Sequence, residues 1–233
     1  MLSQHNHFDR SSENLLDQGQ LVQLIKTRLR ECGENSFILN TELDEPTGCW
    51  GIIFLTKYRP ELFSDITGVI ALNNINILSA EIRAFWEESL AEIFMVTRVS
   101  SSNHPDEIWK QMRSDLENTF TGKLALTYRL NLKLLHPILS NLTKYSYGQN
   151  VVVDNKISDS FTLIQVFTQD KLGLLYKITH TLTDLRLAIR TARISTKNNQ
   201  VADEFYVHDL TGKKVEEKEQ IEEIKRAILH QIS

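Results

Sequence analysis

The chain has 233 residues, of which 41% are hydrophobic and 24% charged, and its formal net charge at pH 7 is −4. This length suits one large domain or two small ones, and the mild acidity argues against a general nucleic-acid binder. The polar first residues lack the apolar core of a secretory signal, and no apolar run approaches the roughly 20 residues that span a bilayer. We therefore expect a cytoplasmic protein with no nucleic-acid or membrane partner.

The predicted elements begin in an N-terminal extension, residues 1–45, where SSENLLDQGQLVQLIKTRLREC indicates an amphipathic helix capped by Ser11 or Ser12. A first unit, residues 46–122, follows. It consists of the strand CWGIIFLT, the helix LFSDITGVIALN, a hairpin of INILSAEIRAF and LAEIFMVTRV, and a helix in HPDEIWKQMRSDLENTF. Residues 123–150 form a connector, in which GKLALTYRLNLKLLHPIL alternates like a strand but has a helix-like composition.

A second unit, residues 151–233, has the same order of elements. VVVDNKISDSFTLIQV indicates a strand, a turn at Asp154–Asn155 and a return strand, and LGLLYKITHTLTDL indicates a helix. LAIRTARIST and VADEFYVHDL follow as strands, and a charged amphipathic helix runs from Val215 to Ile232. In each unit the order strand–helix–strand–strand–helix predicts an α+β fold, with an antiparallel sheet and helices on one face.

The two units are copies of one another. A shift of 112 residues, from 62 to 174, relates them without a gap between residues 59 and 96. The pairs related by this shift are Leu62 and Leu174, Ile66 and Ile178, Thr67 and Thr179, Ile77 and Ile189, Ala80 and Ala192, Ile82 and Ile194, Glu92 and Glu204, and Phe94 and Tyr206. Identities are few along the whole repeat, but each falls where the apolar pattern requires an equivalent residue, so the chain is predicted to contain two copies of one unit.

The stretch TQDKLGLLYKITHTL, residues 168–182, places Gly173 immediately before a helix. A helix N-terminus presents free N–H groups and a partial positive charge, and a glycine there lets a ligand approach the backbone. Gly173 therefore suits a carboxylate, and Asp170 suits an ammonium group, which together predict a receptor for a zwitterion such as an amino acid. The alternative is that Gly173 only permits a tight turn and that Asp170 is solvated.

TQDKLGLLYKITHTLTDLRLAIRTARIST resembles an ACT domain, whose signature is a D-[RK]-x-G-L-L turn, a helix and an N-I-x-x-A-x-I strand. The lead-in VDN…SDSFTLIQV and the close DEFYVHDLTGKKV are similar to the C-terminal ACT module of bifunctional uridylyltransferase/uridylyl-removing enzymes. INILSAEI and LENTFTGKLAL fit the penultimate module of that family. The resemblance covers about residues 50–233 and implies two ferredoxin-like βαββαβ modules.

The resemblance also implies a ligand pocket at a seam between paired modules, either within the chain or across a homodimer. One side of this pocket would consist of Asp170, Leu172, Gly173, Leu174 and Leu175. The other would come from Asn76 and Ile77 or from their counterparts Ala188 and Ile189. The implied ligand is glutamine, and the implied partners are a second copy of the chain and a catalytic or PII-type signalling protein.

The first unit departs from the family pattern, because Tyr58 stands where an acid is expected and Glu61 stands where a glycine is expected. The Cβ and the negative charge of Glu61 work against a carboxylate at that helix mouth. The first unit is therefore predicted to be degenerate as a ligand site, or to bind through other residues such as Asn76.

Three functions are compatible with these observations. The leading one is a regulatory amino-acid sensor linked to nitrogen regulation. The alternatives are the C-terminal part of a uridylyltransferase/uridylyl-removing enzyme and a dimerising ACT scaffold without a ligand. The nucleotidyltransferase core G-G-x-G-R…D-x-D and the HD-type phosphohydrolase domain of that family are not found, and the histidines are scattered. We therefore expect no catalysis by this chain, no cofactor and no metal site.

Overall fold

The computed structural model describes residues 37–57, 59, 61–84, 89–97, 104–135, 148–197 and 200–233. The predicted helix capped by Ser11 or Ser12 lies outside these residues, as do Tyr58 and Pro60. The elements of the first unit are β1 (Phe37–Asp44), β2 (Cys49–Lys57), α1 (Leu62–Leu72), β3 (Ile77–Ala84), β4 (Ser89–Val96), α2 (Pro105–Phe120) and α3 (Leu126–Leu135). Those of the second unit are β5 (Asn150–Asp154), β6 (Thr162–Gln169), α4 (Leu174–Asp184), β7 (Leu187–Arg193), β8 (Thr196–Lys197), β9 (Gln200–Asp209) and α5 (Lys218–Ile232).

The strands of both units form one antiparallel sheet, which confirms the predicted α+β fold. Its strand order is β1-β2-β4-β3-β7-β9-β6-β5, and the short β8 pairs with β9. In each unit the outer edge is formed by the strand that precedes the unit's first core strand, β1 beside β2 and β5 beside β6. The fourth strand of each ferredoxin-like module therefore enters from the N-terminal side of its unit.

The two units join at a seam with pseudo-twofold symmetry. Glu81 on β3 pairs with Arg193 on β7, and the Thr67 Oγ1 of α1 lies 3.3 Å from the Thr179 Oγ1 of α4. Both contacts join residues that are related by the 112-residue repeat. The repeat seen in the sequence is thus a symmetric pairing of modules within one chain.

One core runs beneath the sheet and continues across the seam. Alternate residues of the strands supply one side of it, and the apolar stripes of the helices supply the other. Its most buried members include Phe54, Ile66, Phe94, Ile178, Leu182, Phe205, Ile224 and Ile228. Each such side chain stabilises the fold by about 1.5–3 kcal/mol relative to remaining exposed. The units therefore share a hydrophobic core as well as a sheet.

Two segments differ from the sequence-based expectation. Phe37–Asp44, which was expected in a helical extension, is a strand paired with β2 along its whole length. The ambiguous connector segment is helical over Leu126–Leu135, because Leu126 and Leu130 point into the core beside α1. None of the helices in the described residues is long and apolar enough to cross a membrane.

The repeat shift of 112 residues holds for β3 and β7 but is wrong by one residue for β4 and β9. Ala80 pairs with Phe94, whereas its equivalent Ala192 pairs with Phe205. The connection from β3 to β4 is therefore one residue longer than that from β7 to β9. Because side chains alternate between the faces of a strand, a slip of one residue exchanges the buried and outer faces.

In the corrected register, the residue of the second unit that is equivalent to Glu92 is Asp203 rather than Glu204. The residue equivalent to Phe94 is Phe205 rather than Tyr206. Both Glu92 and Asp203 lie on the core face of the sheet, where they are 1% and 2% exposed. Glu204 lies on the opposite face, where its Oε1 accepts a hydrogen bond of 2.9 Å from the Gln165 Nε2. Each unit thus carries a buried acid at the same position.

Candidate functional site

Among the described residues, one pocket lies at the seam by the N-terminus of α4 and another by the N-terminus of α1. We name them the second-unit pocket and the first-unit pocket after the helix that opens each. The second-unit pocket is lined by residues that include Thr67, Asn76, Ile77, Asp170, Gly173, Leu174, Leu175, Thr196 and Asp203. The first-unit pocket is lined by residues that include Arg59, Glu61, Leu62, Phe63, Ser64, Ile82, Glu92, Asp184, Ala188 and Ile189.

The second-unit pocket is built around the glycine that begins α4. Gly173 is the N-cap residue of the helix and has left-handed backbone angles, φ 77° and ψ 3°, which glycine adopts at no steric cost. Across the seam, the Asn76 Nδ2 donates a hydrogen bond of 2.6 Å to the Asp170 Oδ2. The acid predicted to hold an ammonium is therefore tied to the opposite unit.

Two acids face each other in this pocket. Burial raises the pKa of Asp170, and hydrogen bonds from the Asn76 side chain and the Lys171 amide oppose this effect. Burial raises the pKa of Asp203 to about 8, the Ser195 amide opposes the shift, and the nearby Asp170 adds to it. Asp203 is therefore largely protonated at neutral pH, which allows it to lie beside Asp170 without two buried charges repelling each other.

The second-unit pocket is small in this structure, with a cavity volume of about 20 Å³. A cavity of this size holds about one water molecule. An amino acid would therefore enter only if the units moved apart at the seam.

The residues predicted from sequence fall into three groups. Asn76, Ile77, Asp170, Gly173, Leu174 and Leu175 lie together around the second-unit pocket. Ala188 and Ile189 line the first-unit pocket, and Leu172 packs against the core and lines neither pocket. The seam within the chain, rather than a seam between chains, brings Asn76 to Asp170. Asn76 is consequently not available to the first-unit pocket, contrary to one of the sequence-based alternatives.

The first-unit pocket is larger, with a cavity of about 400 Å³. Glu61 occupies the position equivalent to Gly173 and has nearly the same left-handed angles, φ 67° and ψ −6°. The Arg59 Nη2 pairs with the Asp65 Oδ2 at 2.7 Å, and the guanidinium carbon lies 3.4 Å from the centroid of the Phe120 ring. The side chain of Glu61 therefore stands at the helix mouth that is open in the second unit.

Replacing Glu61 by glycine should raise the free energy of unfolding by about 1 kcal/mol, because a left-handed conformation costs an L-residue roughly this amount. Urea denaturation of the wild type, Glu61→Gly and Glu61→Ala separates the backbone effect from the loss of charge. Glu61→Ala keeps the Cβ and should not show the gain. A gain of equal size in both variants would contradict the backbone explanation.

Burial also raises the pKa values of two acids here, Glu92 in the lining of the pocket and Asp65 beside it. It raises the pKa of Asp65 to about 6, against the favourable charge of Arg59. It raises the pKa of Glu92 to about 8, where Arg59 again lowers the value and Asp65 raises it further. Glu92 and Asp203, which the sequence repeat misaligned, are thus the buried acids of their respective pockets. Neither was predicted from sequence, since a single acid on a core strand is conspicuous only in the correct register.

The chain contains one His-Asp dipeptide, His208–Asp209, at the end of β9. The His208 ring is held by the Arg190 Nε at 2.8 Å and by the Asp209 carbonyl, and the Asp209 carboxylate accepts hydrogen bonds from the amides of Thr211 and Lys213. In the described parts of the chain, no three His, Cys, Asp or Glu side chains come together in a way that could hold a metal ion. The dipeptide stabilises a turn.

Comparison with known families bears on the second unit directly. Residues 150–233 match the sequence model of an ACR9-like, ACT-like domain. The chain carries an ACT-like domain. This domain contains Asp170, Gly173 and Asp203, which are among the residues that the second unit contributes to the second-unit pocket.

Similarity to curated proteins extends beyond the ACT-like domain. Bifunctional uridylyltransferase/uridylyl-removing enzymes match at 32% identity over 76% of this chain in Rhodospirillum rubrum, 28% over 92% in Azospirillum brasilense and 26% over 86% in Cereibacter sphaeroides. The chain spans 19%, 23% and 21% of those proteins, respectively, or about a fifth of their length. The family match itself covers the ACT-like domain at residues 150–233.

Among solved structures, the crystal structure of a protein assigned as a glycine cleavage system transcriptional repressor matches 77% of this chain and 89% of its own. The identity is 15% and the TM-score is 0.26.

Proposed function

We propose that this chain is a regulatory module that senses a small amino acid in the second-unit pocket. The observation that carries the proposal is the hydrogen bond of 2.6 Å between Asn76 and Asp170, which crosses the seam in front of the glycine that begins α4. A ligand at this point would contact both units at once. Binding of the ligand would therefore change how the two units are joined at the seam.

The ligand carboxylate would accept hydrogen bonds from the backbone at the N-terminus of α4, close to Gly173. Its ammonium group would face Asp170 and compete with the Asn76 amide. Because a cavity of about 20 Å³ has no room for an amino acid, binding would favour a more open seam. A ligand shifts such an equilibrium only by the difference in its affinity for the two arrangements, and this difference is the regulatory signal.

Glutamine is the first ligand to test, because the resemblance to the uridylyltransferase/uridylyl-removing enzymes implies it. The same resemblance supports a role in nitrogen regulation and a catalytic or PII-type partner. Within the described residues, β1 and β5 end the sheet with one neighbouring strand each. Such edges recruit further strands, which supports a homodimer.

Thermal unfolding in the presence of each common amino acid tests the proposal. Glutamine at about 100 times its dissociation constant should add about 2.7 kcal/mol to the stability of the native state. The variant Gly173→Asp should abolish this shift, because its carboxylate would repel that of the ligand. Gly173→Asn is the matched control, since it has the same size and a similar tolerance of left-handed angles but no charge.

Equal stabilisation of the wild type and Gly173→Asp by glutamine would place the ligand elsewhere. A panel without any shift would contradict sensing by the isolated chain. It would favour the ligand-free scaffold, which the small volume of the second-unit pocket also supports. If glutamine acted only after the chain was joined to a uridylyltransferase catalytic part, the chain would be the tail of a larger enzyme, as its coverage of about a fifth of its relatives allows.

A further inference from the structure

Within the part of the chain that the structure describes, three buried polar atoms at the first-unit pocket have no hydrogen-bond partner. They are the Arg59 Nε, the Ser64 Oγ and the Glu92 Oε2. Glu92 is 1% and Ser64 2% exposed, and both residues line the cavity of about 400 Å³. Buried polar groups are rarely left unpaired, and a cavity of roughly 300–1,000 Å³ is typical of a small-molecule site. These atoms are therefore available to a ligand.

The charges around the pocket indicate what this ligand carries. Arg59 interacts with three acids, Asp65, Glu61 and Glu92. Asp184 lines the same cavity and Arg186 is the second arginine there. Even with Glu92 protonated, Glu61 and Asp184 in the described lining face only Arg186 as an unpaired cation, because Arg59 is already paired with Asp65 beside the pocket. The pocket therefore lacks a cation rather than an anion.

We propose that the first-unit pocket binds a small primary amine that carries a hydrogen-bond acceptor and an apolar body. The ammonium group would face Glu92. The acceptor would take the hydrogen bonds that the Arg59 Nε and the Ser64 Oγ are free to donate. The apolar body would contact the hydrophobic wall formed by Phe63, Ile82, Leu187 and Ile189.

This recognition differs from that of the second-unit pocket. There the backbone at the mouth of α4 is open, whereas here Glu61 stands at the equivalent place. Buried side chains would replace the helix N-terminus as the recognition element. The degeneracy seen in the sequence is then a change of ligand chemistry, and the proposal does not depend on amino-acid sensing at Gly173.

Binding of an amine should release a proton from Glu92. Burial and Asp65 favour the neutral carboxyl, whereas Arg59 and an incoming ammonium favour the carboxylate. At pH 7 the empty pocket therefore holds a protonated Glu92, and the occupied pocket an ionised one. Affinity for an amine should consequently increase from pH 6 to pH 8, and affinity for a simple carboxylate should not.

Isothermal titration calorimetry on the variant Gly173→Asp tests the proposal, because this substitution is designed to prevent binding in the second-unit pocket. The probes are leucinol, which has an amine and a hydroxyl acceptor, 3-methylbutylamine, which has only the amine, and 4-methylpentanoate, which has only the anion. At pH 7, in two buffers of different ionisation enthalpy, leucinol should bind with release of about one proton. 3-Methylbutylamine should bind more weakly with the same release, and 4-methylpentanoate should not bind.

Glu92→Gln should weaken leucinol binding at least tenfold and abolish the proton release. Glu204→Gln, on the outer face of the sheet, is the matched control and should change neither. Ser64→Ala provides a second test if Glu92→Gln folds poorly, because it should weaken leucinol but leave 3-methylbutylamine unaffected. Binding of 4-methylpentanoate, failure of both amines to bind, or amine binding unchanged in Glu92→Gln would overturn the proposal. None of these results depends on whether glutamine stabilises the wild type.

Discussion

Asp203→Asn should stabilise the protein above pH 6 and remove much of the loss of stability that the wild type shows as pH rises. The folded state holds Asp203 with a pKa of about 8, compared with an ordinary value of 3.8. Between these values the folded chain keeps a proton that the unfolded chain releases. The free energy of unfolding therefore falls by about 1.4 kcal/mol per pH unit for such a group.

The direction follows from the raised pKa. The contribution of Asp203 to the free energy of unfolding is fully present below pH 4 and decreases as the pH rises to about 8. Above that pH it no longer changes. Burial also raises the pKa of Glu92, which faces Arg59 and Asp65, to about 8. Glu92 therefore adds a similar decrease in the free energy of unfolding as the pH rises. Asparagine at position 203 can still accept the Ser195 amide hydrogen bond of 3.2 Å, and it needs no proton to remain neutral.

Urea denaturation at pH 6, 7 and 8 measures the effect. The slope of stability against pH should be steepest in the wild type, smaller in Asp203→Asn and in Glu92→Gln, and smallest in the double variant. Glu204→Gln is the control on the adjacent residue, and it should retain the wild-type slope. A wild-type protein that gains stability from pH 6 to pH 8 would show that these acids are ionised in the fold.

The sequence predicts the fold well because the pattern repeats. Two units with the same order of apolar segments restrict the number of possible folds, and the symmetric pairs Thr67–Thr179 and Glu81–Arg193 follow from that repeat. The register of β4 and β9 could not be predicted in the same way. An insertion of one residue in a hairpin leaves the apolar content unchanged but reverses the faces, so Glu92 was matched with Glu204 instead of Asp203.

The candidate site divides in a similar manner. Gly173 and Asp170 could be identified from the local sequence, since a glycine directly before a predicted helix indicates a helix N-terminus that a ligand can approach. The contact of Asn76 with Asp170 spans 94 residues and depends on the pairing of the units, which the sequence left open between one chain and two. The unpaired atoms of Arg59 and Ser64 depend on three-dimensional packing, and no local pattern indicates them.

Gly68→Val should destabilise the chain by about 3 kcal/mol, because overpacking at a close contact forces its neighbours apart. A Cβ at Gly68 would lie 2.7 Å from the Tyr176 Cδ2 and 2.8 Å from the Leu126 Cδ2. The tyrosine ring cannot swing aside freely, since its hydroxyl lies 2.7 Å from the Thr127 Oγ1. Gly68→Ala should have a smaller effect, because the higher helix propensity of alanine offsets about 1 kcal/mol.

Gly148→Ala is the control, because a Cβ there meets no atom within 4 Å, and its stability should equal that of the wild type. Urea denaturation of the three variants measures the difference. Gly68 on α1 faces Tyr176 on α4, next to the pair Thr67–Thr179 on the pseudo-twofold axis. A bulkier residue at position 68 should therefore push the seam toward the open arrangement and increase the apparent affinity for glutamine while lowering stability. Lower stability with unchanged affinity would mean that the seam does not open when the ligand binds.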